Sequence, residues 1–346
     1  VISDLGAGWL SLGTHSIATQ QYSATTVLAR RQGLTAFGSY VIAHTSSSTY
    51  PAPPVTEEVR NKTTYLKASA AATAIASGSG TTLNNTDSGI LKVLATGTVT
   101  SSGDLVNASL ASLQIDGQLN VKGHFTNNAV ASTALAGGTV GTIEFNGTAN
   151  QNISGATSTI FEGVSINNAA GVTLTTNQTI ANTLAFTAGK ITTGAFRLDL
   201  TNTAADGTSG YGTGKYVFGG FRRYVTTGVE YALPIGNATN FELAKIFVVS
   251  QTGLTYVDVS FTTGAVPFVG PLAINGAPVD AYLDYGKWTF TPNGGFTAVN
   301  YHPTIQSIGH TDLGNNQDYY GVISDLGAGW LSLGTHSIAT QQYSAT

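Results

Sequence analysis

The chain has 346 residues, a formal net charge of −4, no cysteine and no methionine, and only 9% of its residues are charged, against about 25% in ordinary globular domains. The charge gives no long-range attraction to nucleic acid or acidic lipid. The missing sulfur excludes disulfide staples and thiol chemistry. With 42% hydrophobic and 9% aromatic residues the chain has enough apolar material to fold, and 42 glycines among many Thr, Ser and Asn point to strands and turns with uncharged faces.

The opening text at positions 1–25, VISDLGAGWLSLGTHSIATQQYSAT, returns letter for letter at positions 322–346. Each position n of the first copy reappears at n + 321, Val1 as Val322. Convergence does not produce an identity of that length, so the chain reads as one period of a tandem array and the start of the next. A period that long implies arrayed domains. The absence of Met agrees with an internal or processed segment, which is the expectation taken here. Residues 1–45 then read as the closing strands of the preceding repeat's β-sandwich.

Residues 45–55, TSSSTYPAPPV, hold three prolines that no central strand accommodates, so residues 46–60 are expected to be a semi-rigid linker. The next stretch, EEVRNKTTYLKASAAATAIAS over residues 57–77, is the one place where alanine content favours a helix.

Residues 61–205 read as a β-solenoid or β-helix-like domain. Leu113, Ile115, Leu119 and Val121 alternate with polar residues, as one face of a strand requires. Apolar pairs then return along the chain: Leu119/Val121, Ile143/Phe145, Val164/Ile166 and Leu184/Phe186, with a second series from Val172/Leu174 to Phe196/Leu198. Steps of about 20–24 residues fit the coils of a solenoid. A sandwich with regular hairpins is the alternative. Asn127-Asn128 and Asn167-Asn168 suit corners, since Asn tolerates positive φ.

Residues 206–346 read as an antiparallel β-sandwich that continues into the next repeat. Its strands are expected at Tyr216-Val217-Phe218, 229–235, 241–249, 254–261 and 288–290, with tight hairpins at Asn275-Gly276 and Asn293-Gly294.

The text around the wrapped ends carries a resemblance. Trp9, Gly13-Thr14-His15 and the run from Arg31 through Gly33-Leu34-Thr35-Ala36-Phe37 to Ala43 resemble the final strands of sandwich modules in large secreted surface proteins of gliding, type IX-secreting bacteria. GTIEFNGTANQNISG (141–155), VSINNAAGVTL (164–174), LAFTAGKITTG (184–194) and YVFGGFRRYV (216–225) with EYALPIGN (230–237) look like companion modules of the same giant adhesins and filaments. The motifs are strand and turn residues, so the resemblance implies an architecture and an extracellular stalk or adhesive role. It implies partners that are other copies of the chain, with cell-surface glycans as a further class. The family's carboxy-terminal sorting domain is not visible.

No catalytic, cofactor-binding or metal-binding residue is assigned, and the chain is not expected to be an enzyme. The solenoid acids Asp104, Asp116, Glu144, Glu162 and Asp199 form no pair at strand spacing, as a lyase or glycosidase would need. His15 and His336 are one repeat position, His302 and His310 fall in a Tyr-rich segment read as loop, and no zinc spacing occurs. Asp312, Asn315, Asn316 and Asp318 around Gly314 could place oxygens on Ca²⁺, although a polar hairpin turn accounts for them as well. The doubled bases Arg30-Arg31 and Arg222-Arg223 should each point one side chain outward and one inward, with one stacking on an aromatic ring. Tyr282, Tyr285, Trp288 and Phe290 form either a sugar platform or, more commonly for such spacing, sandwich core.

Overall fold

A computed structural model of the chain describes residues 97–129, 141–265 and 285–306 throughout, together with short strands outside those ranges. It is all-β, with a parallel β-solenoid of about 6 turns, and it divides into two compact units, residues 1–184 and 185–346.

In the first unit, strands stack in parallel columns, each residue opposite its counterpart one coil away. One column runs Thr98–Ser101, Gln118–Val121, Thr142–Phe145, Ile160–Asn167, with Val99 opposite Leu119, Leu119 opposite Ile143 and Ile143 opposite Val164. A second runs Leu83–Thr86, Leu105–Asn107, Phe125–Asn127, Gln151–Gly155, Val172–Leu174. A third joins Ser39–Ile42, Thr63–Leu66, Ile90–Val93 and Ser112–Ile115. The pairs Leu119/Val121, Ile143/Phe145 and Val164/Ile166 are therefore stacked neighbours, in the register their spacing predicts. Leu119, Val121, Ile143, Phe145, Val164 and Ile166 are all buried; Glu144 and Ser165 between them are half-buried, whereas Asn120 is buried as well and donates its Nδ2–H to Thr100 Oγ1. Phe125, Phe145 and Phe161 meet inside, with centroids 5.5–6.4 Å apart in edge and tilted contacts.

Close stacking explains two glycines. A Cβ on Gly141 would sit 1.8 Å from the carbonyl oxygen of Ile115, and one on Gly155 2.0 Å from that of Asn127. At both points the next coil's backbone occupies the space of a side chain.

The helix expected within residues 57–77 is overturned. Glu57–Arg60, Thr63–Leu66 and Thr73–Ala76 are strands, parallel to Leu83–Thr86, Ile90–Val93 and Thr98–Ser101 respectively. Alanine's helix preference is a few tenths of a kcal/mol per residue, and backbone ladders to preformed neighbours outweigh it. The Asn corners also differ in emphasis, because their buried amides hydrogen-bond from coil to coil. Of the linker expected over residues 46–60, residues 46–56 with the prolines lie outside the described residues, and residues 57–60 are instead the strand Glu57–Arg60 beside Leu83–Thr86.

The second unit begins in the strand Gln178–Ala188, which straddles the division. Ile191–Leu200 runs parallel to Val217–Tyr224, which runs parallel to Ile235–Gly236. One edge of Val217–Tyr224 pairs parallel with Ile191–Leu200; along its other edge the mode changes, with Val217 and Phe218 parallel to Ile235–Gly236 and Phe221 to Tyr224 antiparallel to Tyr256–Thr263. That strand in turn pairs antiparallel with Gly286–Pro292. A second antiparallel sheet holds Glu230–Leu233, Ala244–Thr252, Ala298–Gln306, Gln342–Ser344 and Thr335–Ser337. Tyr216, Phe241 and Leu243 form a buried cluster backed by Tyr211 and Phe218.

Four expectations in this unit meet the structure. Asn275-Gly276 does connect a hairpin, Ala273–Ile274 with Ala277–Pro278. Asn293-Gly294 does not, because Gly286–Pro292 and Ala298–Gln306 belong to different sheets. Phe196 is 38% exposed, so it does not continue the series from Val172/Leu174. A register shift between Thr192 and Arg197, with Gly194 at φ +59°, breaks the alternation there, and Leu198 and Leu200 take the inner face. His302 lies on the strand Ala298–Gln306, not in a loop. Pro303 within that strand obscured it, yet Gln306 N donates to Leu243 O across the pair, so by alternation the Pro303 nitrogen faces away from Ala244–Thr252 and costs no ladder bond.

The two copies of the repeated text form the same hairpins. Ile2–Asp4 pairs with Trp9–Ser11, and Thr14–Ser16 with Gln21–Ser23. The second copy repeats both pairings in the same register, with Val322–Asp325 against Trp330–Leu333 and Thr335–Ser337 against Gln342–Ser344.

Candidate functional site

Two kinds of arrangement stand out: polar ladders that tie one coil to the next, and single buried ionisable side chains in the second unit.

One ladder runs through a corner of the first unit. Asn107 Nδ2 donates to Asn127 Oδ1 (2.9 Å), Asn127 Nδ2 donates to Thr159 Oγ1 (3.1 Å), and Thr159 N donates to Gln178 Oε1 (3.0 Å). All four residues are buried. At another corner Gln151 Oε1 accepts from Gly147 N and Asn168 Nδ2, and Gln151 Nε2 donates to the Val121 and Gly123 carbonyls. These amides serve backbone groups that have no strand partner where the chain turns. They also couple each coil to its neighbours without using charge. The outer face has a looser counterpart: His124 N donates to Asp104 Oδ1 (2.7 Å), and Asn152 N donates to His124 Nδ1 (3.0 Å), which fixes that nitrogen as an acceptor.

The acids picked out in the sequence are spread along the coils. Asp104 caps His124 N as described. Glu144 accepts from Asn146 and Ser165, Glu162 from Asn182 Nδ2 (2.8 Å), and Asp199 pairs with Arg197 at 2.6 and 3.1 Å. Asp116 lies at the end of Ser112–Ile115, its N–H donating to the Val93 carbonyl. Asp104, Glu144, Glu162 and Asp199 thus each serve separate partners.

Arg222-Arg223 splits as strand geometry requires. Arg222 makes a bidentate pair with Asp258 (2.6 and 2.7 Å) and lies 3.5 Å over the Tyr256 ring. That carboxylate hydrogen bond holds its guanidinium above the usual arginine value. Arg223 is fully buried, stacks 4.9 Å over Tyr231, and donates to the carbonyls of Asn202 and Ala204. Its Nε has no hydrogen-bond partner. Burial pulls its pKa down to about 10, partly offset by Tyr231 and Asp206. Tyr231 Oη completes the cluster, accepting from Thr226 N and donating to the Thr203 carbonyl.

Glu242, between Phe241 and Leu243, is the buried acid that sequence reading missed. It is 0% exposed and accepts from Asn237 Nδ2 (3.3 Å). Desolvation pushes its pKa up to about 8. Tyr216 Oη donates to the Asn237 carbonyl (2.8 Å), and burial followed by the nearby Glu242 raises the Tyr216 pKa. An isolated acid in an apolar run was the available signal.

Of the aromatic row, Trp288 packs edge-on against the buried Phe261 at 4.9 Å and donates Nε1–H to the Glu242 carbonyl (3.0 Å); Tyr285 lies 5.8 Å from the same ring. These rings are half-buried and tied to the sheet. Asn293 is held equally firmly: Oδ1 accepts from Thr255 N and Tyr256 N while Nδ2 donates to the Gly253 carbonyl. Tyr282, Arg30-Arg31, His310 and the Asp312 to Asp318 segment lie outside the described residues, as do the side chains of His15 and His336.

No family model matches the chain, and neither the curated proteins nor the solved structures contain a match.

Proposed function

We propose that the chain is a structural repeat unit of an extracellular surface filament or fibre that carries load and mediates attachment, of the kind secreted by the type IX route. The observation that carries this is the identity of the text at positions 1–25 with that at 322–346, which a tandem array accounts for. A solenoid whose coils are joined by backbone ladders and buried uncharged amides supports it. Tension along such a stack is shared among many parallel hydrogen bonds. Low charge density lets chains lie side by side with little repulsion. The two antiparallel sheets of the second unit are read as the faces of one sandwich, with solenoid and sandwich alternating once per period, from Val1 to its counterpart Val322. Alternating unlike domains lowers the chance that neighbours mispair during folding.

Electron microscopy of native material tests the reading. A periodic fibre with one density repeat per sequence period is the expected image; isolated flexible strands without lateral order would reject it.

A second reading is a glycan-binding module on a monomeric stalk. It is favoured by the half-buried Trp288 and Phe290 alternating with exposed Lys287, Thr289 and Thr291 on one strand. Retention on a glycan array, reduced several-fold by Trp288→Phe in a protein that keeps the wild-type circular dichroism spectrum, separates this reading from the first.

A further inference from the structure

The chain has 15 tyrosines and neither cysteine nor methionine. With the readily oxidised sulfur side chains absent, oxidising equivalents fall on phenol and indole rings. The tyrosines are unequally placed to receive them. Tyr216 and Tyr231 are fully buried. Tyr211 packs on Phe241 and Tyr285 on Phe261, rings that carry no phenol to couple with. Among the described residues, Tyr224 and Tyr256 are the one pair of tyrosines in ring contact, with centroids 5.5 Å apart and planes at 48°. Both are half-buried, so part of each side chain is open to a small oxidant.

The sheet holds this pair in place. Tyr224 lies opposite Tyr256 where Val217–Tyr224 runs antiparallel to Tyr256–Thr263. Val225 N donates to the Thr255 carbonyl, and Asn293 N donates to the Tyr256 carbonyl. The backbone groups of Tyr256 therefore turn away from Tyr224, and the two residues form a pair that exchanges no hydrogen bonds. Such pairs bring their Cα atoms to about 4.5 Å and their side chains closest together. The Arg222 guanidinium, fixed by its bidentate pair with Asp258, lies 3.5 Å over the Tyr256 ring and limits its swing.

We propose that Tyr224 and Tyr256 are the site of an oxidative cross-link, a dityrosine formed with hydrogen peroxide as the oxidant. Each phenol gives up its hydroxyl hydrogen, as one electron and one proton, and becomes a phenoxyl radical. The two radicals combine through the ring carbons beside their oxygens, which makes one C–C bond. Each of those carbons then passes its hydrogen to its own ring's oxygen, and both rings are aromatic again. In sum, two hydrogens leave the chain and one peroxide becomes two waters. The bond ties the strand Val217–Tyr224 to the strand Tyr256–Thr263 in a sheet that has no cysteine to do so. Nothing in this chemistry depends on the filament reading.

The full chain is treated with hydrogen peroxide and a catalytic water-soluble iron porphyrin, and the monomer is isolated. The expected product is lighter by two hydrogens and shows the blue fluorescence of dityrosine. Trypsin cuts after Arg223, Lys245 and Lys287, so the link appears as peptide 224–245 joined to peptide 246–287, and fragmentation places it at Tyr224 and Tyr256. Tyr224→Phe and Tyr256→Phe keep both rings and their packing; each should lower the fluorescence of the monomer several-fold, whereas Tyr285→Phe leaves it unchanged. Chain oxidised in urea should give links with no preference for this pair. Monomer fluorescence that survives both substitutions, dityrosine confined to dimers, or oxygen addition at Trp288 in place of any link overturns the proposal.

Discussion

Glu242 and Arg223 show how much a single residue depends on its surroundings. The sequence places Glu242 in an apolar run, and burial raises its carboxyl pKa to about 8 from an ordinary 4.5. The folded state therefore binds this proton more tightly than the unfolded chain does. Its contribution to stability is complete below about pH 4.5 and is lost as pH rises through about 8. Thermal unfolding temperatures of wild type and Glu242→Gln, measured from pH 5 to pH 9, should converge at the acid end, with wild type falling below the variant at the alkaline end. Parallel curves would mean that Glu242 stays charged throughout. Arg223 is buried among carbonyls and an aromatic face. Lysine cannot present two donors in one plane while stacking on Tyr231. Arg223→Lys should cost about 2–3 kcal/mol in urea unfolding, because buried acceptors lose their partners. Arg222→Lys, at the part-buried pair with Asp258, should cost less, about 1 kcal/mol.

At the scale of elements, the coils were readable because their steps are nearly constant. Leu119, Ile143 and Val164 are one coil apart in the sequence and opposite one another in the sheet. Asn107 and Asn127 are likewise one coil apart, but nothing in the sequence distinguishes a buried ladder asparagine from a turn asparagine. Asn127→Ala removes the link between Asn107 and Thr159 and should destabilise the first unit by about 2–3 kcal/mol. Phe145→Ala, which empties the middle of the phenylalanine cluster, should cost about 3–5 kcal/mol. Circular dichroism during denaturant unfolding measures both; an Asn127→Ala loss well under about 1 kcal/mol would mean that the ladder is not cohesive. The helix expected in residues 57–77 failed for a related reason. Three short strands there acquire parallel partners from residues 83–101, and local propensity carries no information about those partners.

At the scale of the whole molecule, the return of the opening text at positions 322–346 dominates what the sequence says about function. On the filament reading proposed above, it marks one period of an array and the start of the next. Single-molecule stretching of a chain carrying three periods in tandem should give unfolding steps at regular length increments, one set per repeat. Irregular steps would argue against identical folded units. Alternation of apolar and polar residues fixed the all-β class and the coil register, because side-chain direction in a strand follows parity alone. The strands of the two end hairpins pair in the same register in both copies, as expected of a pairing set by the local sequence. Tertiary structure alone decided three things: which strand edge each hairpin meets, which asparagines are buried, and whether Glu242 and Arg223 keep their solvent. Each depends on what lies across the sheet, far away along the chain, and free energies of desolvation and edge pairing are set by those neighbours.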